Sequence, residues 1–181
     1  MPYYNIDKLK KVIREGDIIL SHGDSFISWA IRVFTQSYWN HATMYIGNEL
    51  IIEANEKCVE ILPLKKYENK DIYVYTNKSL TKKERKTIVN EVLKYDGTVY
   101  DYKQLFQFIW YFLTLQRNNG KRKMIGDRNR FVCSELVAKP YYDIGKPIIK
   151  GLRYWEITPA DIDLSPYFER IKEGIIYKNH I

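Results

Sequence analysis

The most regular pattern in the chain lies between residues 41 and 54. Ala42, Met44 and Ile46 alternate with His41, Thr43 and Tyr45, the period of a strand with two unlike faces. Gly47-Asn48-Glu49 interrupts the alternation and Leu50-Ile51-Ile52-Glu53-Ala54 follows, so the segment reads as a β-hairpin. Gly16–Ser21 reads as a turn feeding a strand. Further strands are expected at Cys58–Leu62 and Ile72–Tyr75, with Gly174–Tyr177 adding an edge. Helical spacing appears elsewhere. Asp7–Arg14 predicts a short helix, and Ser25–Phe34 carries apolar residues at Phe26, Trp29, Ala30 and Val33. Thr81-Lys-Lys-Glu84 is a capping box, and the helix behind it turns Ile88, Val89, Val92 and Leu93 to the core. A second helix is expected through Leu105, Phe108, Ile109 and Phe112, with Asp101 as a candidate cap. A third begins near Cys133 and carries Leu136 and Val137, with Pro140 kinking or ending it. Strands and helices fall in segregated runs rather than strict alternation, which predicts an α+β fold. With no repeat or linker, residues 1–181 read as one domain.

Composition narrows the class without choosing a function. A hydrophobic share of 45% and a charged share of 28% describe a globular chain. The net charge of +7 favours acidic partners, but the densest basic cluster, Arg117, Lys121, Arg122 and Lys123, reads as a solvated loop. No groove-reading motif is present, so nucleic acid is not an expected partner. The apolar run Leu105–Leu115 is too short to span a bilayer and reads as a buried helix before a membrane-surface segment. The N-terminus shows no signal-peptide pattern, so a cytoplasmic location is expected. Two cysteines, scattered histidines and no close-spaced ligand pair predict no metal, and the absence of a P-loop or dinucleotide fingerprint predicts no cofactor.

Three residues could do chemistry together. Cys133 should occupy the first turn of its helix, where unpaired N–H groups and the helix dipole stabilise a thiolate. Those N–H groups can also receive a developing oxyanion. The competing reading is a buried, inert thiol. His41 opens a strand on the face opposite the apolar residues, a position suited to an acid or base, although a lone hairpin histidine is often structural. If the hairpin turn holds three residues, Glu53 sits across from Thr43 on the face of His41 and can orient its ring. A register different by one residue would move Glu53 to the other face.

The ordered set Gly16-Asp17-Ile-Ile-Leu, Trp39-Asn-His41-Ala-Thr-Met-Tyr-Ile-Gly47, Ile52-Glu53-Ala54, Phe131-Val-Cys133-Ser-Glu-Leu136 and Thr158-Pro-Ala-Asp161 resembles the circularly permuted NlpC/P60 papain-like hydrolases, nearest their YiiX/YaeF-type branch. These motifs run from about residue 16 to about 165. In that permuted branch the histidine strand precedes the cysteine helix, as here. The resemblance implies a papain-like α+β fold, with a small antiparallel sheet against the Cys133 helix. It also implies Cys133 as nucleophile, His41 as general base and Glu53 as the residue orienting the imidazole. The expected activity is a thiol hydrolase acting on a small amide or peptide, with anionic substrates and cell-wall fragments included in the class. The alternatives are a lipid acyltransferase or thioesterase docking at a membrane surface through Leu105–Leu115, and a non-catalytic binding protein.

Overall fold

The computed structural model describes residues 2–22, 38–55, 57–99 and 133–177. The helices expected at Ser25–Phe34 and behind Asp101, the aromatic run Leu105–Leu115, the basic stretch 116–130 and His180 lie outside the described residues. Six antiparallel strands form the main sheet. They are β2 (Ile18–Ser21), β3 (His41–Gly47), β4 (Leu50–Ala54), β5 (Val59–Pro63), β6 (Ile72–Thr76) and β7 (Glu169–Arg170), in the order β5-β4-β3-β2-β6-β7. β8 (Ile175–Tyr177), expected as an edge of this sheet, instead pairs with β1 (Pro2–Tyr4) in a separate ribbon. The place beside β6 is taken by β7.

Four helices are described: α1 (Ile6–Leu9), α2 (Lys82–Leu93), α3 (Cys133–Asp143) and α4 (Pro159–Asp163). α1 is shorter than the Asp7–Arg14 expected. The Arg14 N–H donates to Asp17 Oδ2 at 2.9 Å, a side-chain bond that competes with continued helix and draws the chain into a turn. α2 has the expected capping box, with Thr81 N–H donating to Glu84 Oε2 at 2.7 Å and Glu84 N–H to Thr81 Oγ1 at 3.2 Å. α3 runs through Pro140 rather than ending there. Tyr141 pins that last stretch, fully buried and donating its hydroxyl to the Gly16 carbonyl at 2.6 Å. Among the described residues no helix is long and apolar enough to cross a membrane.

Both faces of the sheet are covered. Ile18, Leu20, Ala42, Met44, Ile52 and Ala54 belong to the core that includes Ile88 and Val92 of α2 and Leu136 and Val137 of α3. Ile19, Tyr45, Ile51, Ile72 and Val74 pack with Leu9, Leu64 and Tyr67 in a second core. The alternation read as apolar and polar faces of β3 therefore separates two interiors. Thr43 and Glu53 sit on the second face and are buried.

The hairpin obtains its register in an unexpected way. Asn48 and Glu49 both have positive φ, 51° and 59°, the signature of a two-residue type I′ turn, and Gly47 pairs with Leu50. That pairing alone would set Glu53 on the wrong face. A bulge between Tyr45 and Gly47 restores the count, so that Tyr45 pairs with Ile51 and Met44 with Ile52. The same register continued by one residue sets Glu53 opposite Thr43. Gly47 carries the bulge at φ 94°, and a Cβ there would meet Glu15 Oε1 at 3.0 Å. Gly47→Ala is expected to cost about 1–2 kcal/mol through left-handed strain. Urea unfolding would measure this, and a loss of only a few tenths would show that the bulge does not depend on glycine.

Opposite this hairpin, a buried ion pair locks α2 to the sheet. Arg85 Nη1 donates to Asp17 Oδ1 and the Glu15 carbonyl, both at 2.8 Å, and Nη2 donates to the Asn77 carbonyl at 2.6 Å. Thr76 Oγ1 completes the cluster, donating to Asp17 Oδ1 at 2.6 Å. Burial pushes the Asp17 carboxyl up, outweighing the bonds from Thr76 and Arg85. The Gly16-Asp17 motif is thus accounted for by structure: a turn and the anchor of a buried cation.

Candidate active site

Cys133, His41 and Glu53, far apart in sequence, meet at one end of the sheet. Cys133 opens α3, which packs across β3, and is 5% exposed. Its helix start is tied down by Ser134, whose hydroxyl donates to the Ile157 carbonyl at 2.7 Å. Just beyond that carbonyl, the Thr158–Asp161 capping box starts α4, with Asp161 N–H donating to Thr158 Oγ1 at 3.3 Å. The Thr158-Pro-Ala-Asp161 motif therefore helps to seat the Cys133 helix.

The Cys133 side chain hydrogen-bonds the His41 ring. It also takes backbone hydrogen bonds from Ala42 and Ser134. The second donor belongs to the first turn of α3, where N–H groups have no intrahelical acceptor. The first follows from the end of the hairpin: β3 pairs with β4 from Met44 onward, leaving Ala42 beyond the paired stretch. Burial alone would push the thiol up. His41 and these two N–H groups bring it down instead, below the ordinary thiol value.

His41 Nε2 lies 3.3 Å from Glu53 Oε2, so Nδ1 is the ring nitrogen left for Cys133. Burial would lower the imidazole pKa. The contacts with Cys133 and then Glu53 outweigh it and push His41 up to about 10. Sulfur and ring are thus shifted in opposite directions, each by its contact with the other, toward a thiolate beside an imidazolium.

Glu53 is 1% exposed, and both its oxygens are engaged. Oε2 faces His41 and accepts from Thr43 Oγ1 at 3.2 Å and Tyr67 OH at 3.1 Å. Oε1 accepts from Lys66 Nζ. Burial would raise this carboxyl, but the bonds from His41 and Lys66 hold it down at about 2. Burial beside Glu53 pushes the Tyr67 phenol up, so Tyr67 remains a donor, and Ser21 bonds it from β2.

Lys66 and Tyr67 were not foreseen in the sequence. Both sit on a single 3-10 turn, Leu64–Tyr67, that follows β5. Nothing in the periodicity marks them, because their role arises only when β5 brings the chain back beside β4. Thr43 was legible as the partner of Glu53, but not as a donor to it. Among the described residues no group of three or more His, Cys, Asp or Glu side chains comes together to hold a metal ion.

Comparison with known proteins bears on the fold and the family. A curated relative, named probable lipoprotein peptidase YaeF of Escherichia coli strain K12, is 24% identical over 172 residues, covering 83% of this chain. The match spans 62% of that relative's own length. A solved structure from Escherichia coli O157:H7, described as the metalloprotein YiiX, aligns over 88% of this chain and 97% of its own, with a TM-score of 0.66 at 20% identity. That likeness establishes the fold, and the α+β permuted papain-like architecture expected from the motif order is borne out. Residues 12–161 match the family model described as permuted papain-like amidase enzyme, YaeF/YiiX, C92 family, and the chain belongs to that family.

Proposed function

We propose that the protein is a cysteine hydrolase of amide bonds, with Cys133 as nucleophile, His41 as general acid and base, and Glu53 orienting the imidazole. The observation that carries this reading is the continuous chain of contacts from Cys133 through His41 to Glu53, with the thiol shifted down and the imidazole up. The thiolate attacks the amide carbonyl carbon, and the carbonyl π pair moves onto oxygen. Backbone N–H groups at the start of α3 receive that oxyanion. The imidazolium gives its proton to the amide nitrogen as the C–N bond breaks, releasing the amine and leaving a thioester on Cys133. His41, now neutral, takes a proton from water as water adds to the thioester. Collapse releases the carboxylic acid and restores the thiolate and imidazolium.

Glu53 holds the ring so that Nδ1 remains toward the sulfur, and stabilises the charged imidazolium. A small peptide or amino-acid amide is the substrate class proposed. A cytoplasmic location is carried with this reading and is a matter for cell fractionation, since the curated relative is named a lipoprotein.

Iodoacetamide labelling across pH, with the alkylated residue mapped, tests the proposal. Cys58 is the more exposed of the two thiols, so simple access would favour it. Cys133 is nonetheless expected to react faster than Cys58, and to retain that lead below pH 7. Equal, slow reaction at both cysteines, unaffected by His41→Ala, would falsify the thiolate–imidazolium pair.

A further inference from the structure

We infer that Lys66 is a positioning residue of this site, holding Glu53 Oε1 so that it governs both the aim and the charge that Glu53 presents to His41. The inference rests on the proposed roles of Cys133, His41 and Glu53.

One turn of chain contacts both oxygens of this carboxylate. Lys66 Nζ donates to Oε1, while its neighbour Tyr67 donates to Oε2. Leu64 and Tyr67 anchor the turn in the second core, and the Leu64 N–H donates to the Glu49 carbonyl at 2.7 Å. The lysine reaches inward from the surface: its side chain is 42% exposed, whereas Glu53 is 1% exposed. An ion pair between two exposed side chains is worth little, because water screens both charges. Here one partner is shielded from water, so the lysine charge acts on it through a poorly screened path.

The charged and titratable groups around Glu53 make the consequence specific. His41 faces it from β3, together with the neutral donor Thr43. Lys66 and Tyr67 face it from the 3-10 turn. Glu60 is its cross-strand partner on β5, with that carboxylate bonded to Asn55. Cys133 reaches it only through His41. Among the described residues, Lys66 and protonated His41 are therefore the cations bonded to a carboxylate that also has an anion opposite it. Without Lys66, the whole charge of Glu53 falls on His41. The imidazolium is then held more tightly and returns its proton less readily. Glu53 also loses the contact that keeps Oε1 turned away from the ring.

The test follows the His41 ring signals by NMR across pH in the full chain, for the wild type, Lys66→Met, Lys66→Arg and Lys65→Met. Cys133 alkylation is measured in the same samples. Lys66→Met is expected to raise the His41 midpoint by about half to one pH unit, the size of one nearby, partly screened charge. Lys66→Arg should keep the midpoint within about 0.2 unit of wild type, because arginine restores the cation and donor. Lys65 is exposed on the same turn, and Lys65→Met should do likewise. An unmoved midpoint in Lys66→Met, or an equal shift in Lys65→Met, overturns the role of Lys66. If Cys133 labels selectively in the wild type, the underlying site reading survives that result. If wild-type Cys133 shows no lead over Cys58, the site reading itself fails.

Discussion

Replacing Cys133 with alanine is expected to abolish hydrolysis, with a loss of about 10⁴-fold or more in kcat/KM. The expectation follows from the absence, among the described residues, of an alternative nucleophile at this point of the fold. The other cysteine, Cys58, lies on the far side of β4, in an isolated bridge with Val99. Thr43 is buried and committed to Glu53 and Tyr67, and Ser134 to the Ile157 carbonyl. A panel of small peptide and amino-acid amides, with p-nitrophenyl acetate as an activated ester, provides the assay. The burst of p-nitrophenol that reports acylation should vanish in Cys133→Ala. His41→Ala should lose a comparable amount, and the double variant little more than either single one, because the two groups act as a unit. Activity within a few-fold of wild type in Cys133→Ala would remove the nucleophile from the proposal.

The cysteine also controls the ring beside it. In Cys133→Ser a neutral hydroxyl replaces the ionisable sulfur that raises His41, so the imidazole should release its proton at a lower pH than with the thiol in place. A histidine held above its unfolded value stabilises the fold fully below that unfolded value, and the contribution fades as pH rises through the folded one. His41 thus favours the fold from acid pH to between about 6.5 and 10. Glu53, held down at about 2, contributes above its unfolded value and loses that contribution as pH falls from 4.5 toward 2. The paired site is favoured between those limits.

The largest effect on stability is expected from Arg85→Ala, at about 3–5 kcal/mol. The substitution removes the cation but leaves Asp17, fully buried, among Thr76 and the Arg14 N–H. It also strips donors from the Glu15 and Asn77 carbonyls. In a chain of this length such a loss lowers Tm by roughly 10 °C. The deficit should depend on pH. Without Arg85 the folded-state pKa of Asp17 rises further above its unfolded value. The penalty is then largest at neutral pH and shrinks as pH falls toward 4, as Asp17 is protonated in the fold and its unfolded carboxyl begins to follow. Urea unfolding at pH 7 and pH 4.5 measures both effects. Replacing both partners with apolar residues of similar volume, as in Asp17→Leu with Arg85→Met, should cost much less than Arg85→Ala alone. A double variant as unstable as the single would show that the pair is worth more than its desolvation.

Much of the frame was legible in the chain because it rests on local physics. The capping box at Thr81 acts over one turn of helix, and the alternation from His41 to Ile46 reflects a strand period that holds whatever the strand packs against. Cys133 was readable as a helix-start residue for the same reason. The order of histidine strand before cysteine helix, carried by short motifs, was enough to indicate the family. These features are properties of neighbours along the chain.

The site needed more than that. Whether Glu53 faces His41 depended on one extra residue at the Tyr45–Gly47 bulge, which offsets a turn shorter than the sequence suggested. A period of two cannot reveal such a count, since either register preserves the alternation. The polar side of β3 became a second interior only because the 3-10 turn and α1 cover it, which turned Thr43 and Glu53 into buried groups whose bonds must all be satisfied. Lys66 and Tyr67 entered by the same route, carried back to Glu53 by β5 across a gap in sequence that no motif spans. Most elements could be read from residue type and short-range spacing, and the candidate reacting groups from those together with the order of motifs along the chain. The tertiary structure decided the register, the burial and the clamp on the carboxylate, because the charge states of Cys133, His41 and Glu53 depend on which distant groups exclude water from them.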